Sequence, residues 1–180
     1  MLPRGWRTTS LASVAAITLG QSPPGSSYNE TGEGVPFFQG KTEFGALYAE
    51  VRKYTRSPTK YASQGDILVS VRAPVGPTNL APVDCAIGRG LAAVRAGDGV
   101  DQRYLLWALR AAEQDLAEHG AGSTFPAITG RQLQAHQVRI APTMAEQRRI
   151  VDIVEDHITR LEVGTDGLVR AQRQLAAMWQ

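Results

Sequence analysis

The chain has 180 residues, of which 43% are hydrophobic and 20% are charged, a composition that is typical of globular proteins and excludes an intrinsically disordered chain. Its single cysteine, Cys85, excludes an internal disulfide and a cysteine-rich zinc site, and the three scattered histidines lack the spacing of paired metal ligands, so we expect no metal site. The formal net charge is only +2, but all of the 19 basic residues except three lysines are arginine, the side chain best suited to bidentate contacts with phosphate and guanine.

The N-terminal residues combine Arg4 and Arg7 with an apolar run over residues 11–19. Ser13 and Thr18 interrupt this run, and no clean cleavage site follows it, so we do not interpret it as a signal peptide. No stretch of the sequence approaches the ~20 apolar residues of a membrane span. We therefore expect a cytoplasmic protein without membrane contact.

Residues 20–46 are rich in glycine, proline, serine and asparagine, which predicts a long surface loop. One short extended piece, Val35–Phe38, interrupts it. Long loops in compact domains usually carry function. This segment is therefore the first place to look for a binding site.

The next elements alternate between strands and helices without a regular pattern. Apolar and β-branched runs predict strands over residues 67–71, 92–95 and 137–140. A helix is predicted from the N-cap Asp101 to about Ala117, and a short one over residues 130–135. The mixture predicts an α+β domain over residues 1–142.

A long helix is predicted over residues 143–180. Thr143 and Glu146 have the spacing of a capping box, in which the hydroxyl and the carboxylate each accept from the other residue's amide. Seam positions follow at alternating steps of three and four residues, as in a heptad repeat. These positions are Val151, Val154, Ile158, Leu161, Thr165, Leu168, Gln172, Leu175 and Trp179.

This helix would be ~55 Å long at about 1.5 Å per residue, far more than the ~14 Å radius of gyration of the preceding domain. Each apolar seam residue gains ~1.5–3 kcal/mol on burial, so we expect a partner helix and a homodimer. The predicted interface consists of Val151, Val154, Ile158, Leu161, Leu168, Leu175 and Trp179. The alternative is that the helix folds back on its own domain. This would explain the apolar face of the first turns, where Ile150 and Ile153 widen it, but not the apolar residues of the last turns.

Side chains suited to nucleic acid cluster in two regions of the chain. Base edges are bound by Arg, Lys, Asn, Gln, Ser and Thr, and phosphates by Arg, Lys and loop amides. Between residues 41 and 72, basic residues outnumber acidic ones, and small hydroxyl residues on a tight turn precede Arg131. The candidate DNA contacts are Tyr28, Asn29, Gln39, Lys41, Arg52, Lys53, Arg56, Lys60, Arg72, Ser123, Thr124 and Arg131.

The sequence also allows other functions to be considered. A phosphate-binding loop is excluded because five residues separate Gly34 from Gly40 where the motif needs four. A small hydrolase could use Cys85 with a histidine, but a cysteine in or beside a strand is more often a buried, inert thiol. A coiled-coil assembly module without nucleic-acid contact is the stronger alternative to a DNA-binding subunit.

Six segments in order resemble the target-recognition domain and following helix of the specificity (S) subunit of type I restriction–modification enzymes. They are "LPRGWRTTSLASVAAI", "GQSPPGSSYN", "PFFQG", "GDILVSVRAPVG", "GSTFPAITGRQL" and "IAPTMAEQRRIVDIVE". Each segment alone is a weak signal, but the resemblance extends over residues 2–175.

The resemblance implies a non-catalytic subunit that binds double-stranded DNA. In the family, two recognition domains each read one half of a split target, and two long helices hold them apart. Methyltransferase (M) subunits use S-adenosylmethionine, and a restriction (R) subunit uses ATP and Mg, so no cofactor is expected in this chain. With one domain and one helix, the chain is expected to be half of a longer protein or a half-subunit that dimerises over identical, inverted half-targets.

Overall fold

Three β-sheets and four α-helices make up the fold in the computed structural model, which describes residues 3–119 and 126–178. The strands are β1 (Arg7–Ser10), β2 (Ala15–Leu19), β3 (Tyr28–Asn29), β4 (Val35–Phe38), β5 (Tyr54–Thr55), β6 (Tyr61–Ala62), β7 (Ile67–Ser70), β8 (Thr78–Leu80), β9 (Cys85–Ile87), β10 (Leu91–Ala96) and β11 (Gln137–Ile140). The helices are α1 (Gln102–Ala111), α2 (Glu113–His119), α3 (Gly130–Ala135) and α4 (Met144–Met178). The predicted α+β class with a long C-terminal helix is confirmed.

An antiparallel sheet in the order β2-β10-β7-β8 forms the middle layer. Its side chains alternate between two cores because successive residues of a strand point to opposite faces. Ile67 and Val69 of β7 pack with Leu105 of α1 and the rest of the larger core. Leu68 between them packs with Phe38 of β4 in the second core. The middle sheet is therefore covered on both faces, by α1 on one and by the second sheet on the other.

The second sheet has the order β3-β5-β4-β9-β6 and is built from very short strands. The pairing of β4 with β9 is parallel, with Phe37 opposite Ala86 and Phe38 opposite Ile87. Two of its five strands, β3 and β4, come from the segment predicted as a long loop. The extended piece predicted at Val35–Phe38 is confirmed as β4, whereas the loop prediction is wrong for β3. Phe37 and Phe38 of β4 are both buried, and Phe38 belongs to the second core.

The chain enters and leaves the domain through a third, two-stranded sheet. Strand β1 pairs with β11 in an antiparallel register that sets Arg7 opposite Ile140. Strand β11 has the predicted bounds, and α3 has the predicted bounds as well. The predicted helix over residues 101–117 is interrupted at Ala112, which separates α1 from α2.

Helix α4 begins against the domain and continues away from it. The Thr143 hydroxyl accepts from the Glu146 amide at 3.2 Å, as predicted. The predicted return bond is wrong, because both Glu146 oxygens accept from the Arg149 guanidinium at 2.8 and 2.9 Å. Val151 is 7% exposed and belongs to the larger core, Ile150 packs against that core, and Ile153 is exposed. Within residues 3–119 and 126–178, every helix is either too short or too polar to cross a lipid bilayer.

Candidate nucleic-acid interface

Turns from four distant parts of the chain meet at one edge of the two larger sheets. They follow β2, β4 and β7 and connect β9 to β10. A side chain at Gly20 would overlap the carbonyl oxygen of Gly88, and one at Gly90 would overlap the carbonyl oxygen of Gln39. Glycine is therefore needed at these positions for the turns to approach each other.

Hydrogen bonds hold these turns in place. The Gly88 amide donates to the Phe38 carbonyl at 2.8 Å, and the Val71 amide donates to the Gly90 carbonyl at 2.9 Å. The Arg89 amide donates to the hydroxyl of Ser22 at 3.2 Å. The side chains on these turns are thus presented from a fixed backbone.

Two adjoining hollows of about 430 and 410 Å³ open between the turns and share Gln39, Gly40, Lys41 and Ala73. We call them together the basic cleft. Its polar and charged side chains include Ser22, Gln39, Lys41, Lys53, Arg72 and Arg89. The cleft therefore combines four cations with a side-chain amide and a hydroxyl.

The cations of the basic cleft are available to an external anion. In the described part of the chain, Lys41, Lys53, Arg72 and Arg89 take part in no ion pair. Glu43 also lines the cleft, but it is buried and its Oε2 accepts from the Gly40 amide at 3.1 Å. The acid thus stabilises the turn, and the surface of the cleft is positively charged.

Four of the predicted DNA contacts, Gln39, Lys41, Lys53 and Arg72, are brought together in this cleft. Arg52 and Arg56 lie outside it and pair with Glu50 and Glu33 at 2.6 and 2.8 Å. Lys60 and Arg131 are exposed elsewhere on the surface.

Tyr28 and Asn29 have contacts within their own loop. The Tyr28 hydroxyl donates to the Pro23 carbonyl at 2.9 Å, and its ring stacks on Phe37 with centroids 4.8 Å apart. The Asn29 side chain donates to the Glu33 carbonyl at 2.8 Å and accepts from the Glu33 amide at 2.9 Å. Both side chains therefore shape the loop.

Ser123 and Thr124 lie outside the described residues, but the chain that follows them runs beside the basic cleft. The Pro126 carbonyl accepts from the Ala73 amide at 3.0 Å, and Ala127 forms a β-bridge with Arg72. Pro126 and Ala127 are therefore fixed at the edge that carries Arg72.

Sequence reasoning missed Arg89 and Ser22. Arg89 stands between two glycines, Gly88 and Gly90, in the turn from β9 to β10. An arginine flanked by glycines on a tight turn is a signal that could have identified it. Ser22 lies in the loop already considered, but nothing local distinguishes it from neighbouring serines.

The geometry offers nucleophilic or metal chemistry little support. Burial, followed in importance by the nearby Asp66 carboxylate, raises the pKa of the Cys85 thiol from 9.0 to about 12. A thiol acts as a nucleophile in its thiolate form, which this environment disfavours. Residues 3–119 and 126–178 hold no group of three side chains placed to bind a metal ion.

Comparison with known families gives a match over residues 3–166, to the family described as type I restriction modification DNA specificity domain. A curated relative from Methanocaldococcus jannaschii, named as the MjaX specificity subunit of a type I restriction enzyme, is 41% identical over 152 residues. That alignment covers 83% of this chain and 36% of the relative. The MjaIX specificity subunit from the same organism is 23% identical over 164 residues, which cover 85% of this chain and 38% of the relative.

Solved structures agree with this match. The HsdS subunit from Thermoanaerobacter tengcongensis is 44% identical, with a TM-score of 0.81 over 91% of this chain and 40% of that one. A chain from work on complex assembly and conformational transition in the type I R-M system is also 44% identical, with a TM-score of 0.85 over 98% of this chain and 43% of that one. The S subunit from M. genitalium, at 18% identity and a TM-score of 0.70, shares the fold. The chain thus spans less than half the length of each of these proteins.

Proposed function

This chain belongs to the family of type I restriction–modification DNA specificity domains, and we propose that it reads one half of a split DNA target for a restriction–modification enzyme. The observation that carries this proposal is the basic cleft, where Gln39 shares the lining with four cations that take part in no ion pair among the described residues. Duplex DNA offers the two features that such a surface fits, a dense row of phosphates and base edges with hydrogen-bond donors and acceptors.

The cleft residues divide into two roles. Lys41, Lys53 and Arg89 bind backbone phosphates and set the register of the domain on the duplex. Gln39 and Arg72 read base edges, since glutamine pairs bidentately with adenine and arginine with guanine. Ser123, Thr124 and Arg131 are proposed as additional DNA contacts from the sequence alone.

A second copy of the chain supplies the other half of the recognition surface. Leu161 lies on the predicted seam of α4 and is 69% exposed, so a partner helix would remove an apolar side chain from water. Ile158 on the same seam is half-buried, and the side chains of Leu168 and Leu175 and the whole of Trp179 lie outside the described parts. A twofold dimer formed through this seam would read two identical half-targets in inverted order.

In this proposal, the partner subunits carry out catalysis. The chain directs a methyltransferase (M) subunit, which uses S-adenosylmethionine, and a restriction (R) subunit, which uses ATP and Mg, to the DNA site. It acts in the cytoplasm, where its DNA target lies. Its own contribution is binding and placement, for which the cleft and α4 provide two separate surfaces.

The experiment that tests this function measures the affinity of the chain, with its M subunit, for duplexes of different sequence at increasing salt. Phosphate contacts predict a steep fall of affinity with salt, and base contacts predict a preference that survives an excess of competitor DNA. Gln39→Ala should reduce the preference while leaving the salt dependence nearly unchanged. Equal affinity for every duplex would disprove specific recognition, and no binding at any salt would favour an assembly module without nucleic-acid contact.

A further inference from the structure

Three residues at four-residue intervals, Gln147, Val151 and Glu155, contact the domain from one face of α4. Gln147 is only 1% exposed; its Oε1 accepts from the Asp101 amide at 2.7 Å, and its Nε2 donates to the Gly99 carbonyl at 3.0 Å. Val151 is in the larger core. These two residues fix the start of α4 at a point beside the N-terminus of α1.

Glu155 is the last of the three, and it contacts side chains of the domain, whereas Gln147 contacts backbone groups. Its Oε1 accepts from Arg103 Nε at 2.9 Å, from Arg103 Nη2, and from Trp107 Nε1 at 2.9 Å. Both donors lie on α1, one helical turn apart. One carboxylate oxygen therefore holds α4 against two successive turns of α1.

Apolar packing around this contact is incomplete. A groove of about 500 Å³ opens beside it and is lined by Trp6, Trp107, Ile150 and Val154 among others. Close-packed interiors resist displacement, whereas a groove of this size leaves room for a helix to tilt about its buried end. With this room beside it, the direction of α4 depends on the Glu155 contact as well as on the packing of Ile150 and Val151.

Small changes in that direction have large effects at the far end of the helix. From Glu155 to the end of α4 at Met178 is about 35 Å at 1.5 Å per residue. A tilt of ~10° displaces the end of such a lever by about 6 Å, which is nearly two base pairs at 3.4 Å each. The angle at which α4 leaves the domain is thus as important as the length of the helix for the position of a second domain.

We propose that Glu155 is a positioning residue that fixes the angle at which α4 leaves the domain, and that this angle selects the number of base pairs between the two half-targets. The inference rests on the proposed function, since it needs two domains joined through α4. Glu155 contacts no DNA in this account. It acts through Arg103 and Trp107, which keep the helix in one orientation.

The angle can be measured without DNA. Spin labels at Ala12→Cys in the domain and Gln174→Cys on α4 report their separation, and the buried Cys85 thiol does not compete for the label. Labelled chains are diluted into excess unlabelled chain, so that only distances within one chain are seen. Glu155→Ala should broaden the distance distribution by about 5 Å, the displacement expected at Gln174 for a ~10° tilt of α4.

Asp156→Ala is the matched control, because Asp156 is the next residue and, among the described residues, its ion pair lies within α4, with Arg160 at 2.8 Å. Its distance distribution should equal that of the unsubstituted chain. Glu155→Gln keeps an acceptor oxygen and should restore most of the narrow distribution. If Glu155→Ala fails to fold, Trp107→Phe replaces it, because phenylalanine lacks the Nε1 donor but keeps an aromatic ring. An unchanged distribution in Glu155→Ala, or in Trp107→Phe where Glu155→Ala does not fold, would overturn the proposal.

The consequence for DNA is tested with duplexes that differ only in the separation of two half-targets. Glu155→Ala should keep the same base preference but lose about tenfold in its preference for the best separation, or about 1.4 kcal/mol, near the low end for a hydrogen bond to a charged group. A variant that keeps the original separation preference would refute the role in spacing. If the unsubstituted protein selects no sequence, the proposed function fails and the spacing role with it, while the distance measurement still decides whether Glu155 holds α4.

Discussion

The first turns and the middle of α4 carry similar apolar residues but differ in their surroundings. Val151 is buried in its own domain, whereas Leu161, less than three turns later, is exposed. The same contrast divides the arginines, since Arg56 pairs with Glu33 and Arg72 faces the open cleft. In each pair of residues, one side chain has its contacts within the chain, and the other is exposed and can contact an external partner. This difference separates side chains that stabilise the fold from side chains that bind.

The largest effect is expected from Val151→Asp. An unpaired charge in the core should lower the free energy of unfolding by about 4 kcal/mol or more, which is a large fraction of the stability of a domain. Urea denaturation followed by circular dichroism measures this change. An unchanged midpoint would mean that the start of α4 is not part of the folded core.

A smaller but selective effect is expected from Leu161→Asp. The substitution occurs twice in a dimer and should weaken self-association roughly 10²-fold or more, since each buried leucine contributes ~1.5–3 kcal/mol. Val163→Asp is the matched control, because Val163 is 65% exposed and lies two residues away on the opposite face of the helix. Sedimentation equilibrium should show a weakened dimer for the first variant only; equal behaviour of the two would contradict the predicted seam.

Among the arginines, Arg72→Ala should weaken binding to the preferred duplex about tenfold and relax the base preference at one position. Arg56→Ala provides the comparison. The Arg56 guanidinium already pairs with the Glu33 carboxylate, so this substitution should reduce the affinity for DNA much less. Fluorescence anisotropy with the M subunit present measures both affinities. A larger loss for Arg56→Ala would place the binding surface outside the cleft.

The smallest effect concerns the buried thiol. Because burial raises the pKa of Cys85 from 9.0 to about 12, the neutral thiol is favoured in the folded state, and the resulting stabilisation is present below pH 9 and lost as the pH rises toward 12. At pH 8 the native protein should resist alkylation by iodoacetamide, while the urea-unfolded chain should react. Rapid alkylation of the native protein would support a reactive thiol and reopen the hydrolase alternative.

Local sequence signals predicted the elements that are determined by neighbouring residues alone. Strand β11 follows from the alternation of Gln137–Ile140, and the start of α4 follows from the Thr143 hydroxyl. The break at Ala112 could not be predicted, because no glycine or proline marks it. At this point the backbone of Glu113 packs closely against Gly76, a contact that local periodicity does not encode.

The basic cleft was predicted only in part for the same reason. Gln39, Lys41, Lys53 and Arg72 come from the segment whose composition indicated binding. Arg89 joins them because glycines let separate turns approach, which depends on pairing between β4 and β9. The heptad pattern likewise predicted which face of α4 is apolar, but the pattern alone could not show that Val151 is covered by the domain while Leu161 is left exposed.

In the proposed function, two copies of this domain read the two halves of one DNA target. The most direct measurement is selection from random-sequence duplexes by the chain with its M subunit, followed by sequencing of the bound DNA. The account predicts enrichment of two identical half-targets in inverted order at one fixed separation. Recovery of random sequence, or of a single half-target without an inverted partner, would contradict it.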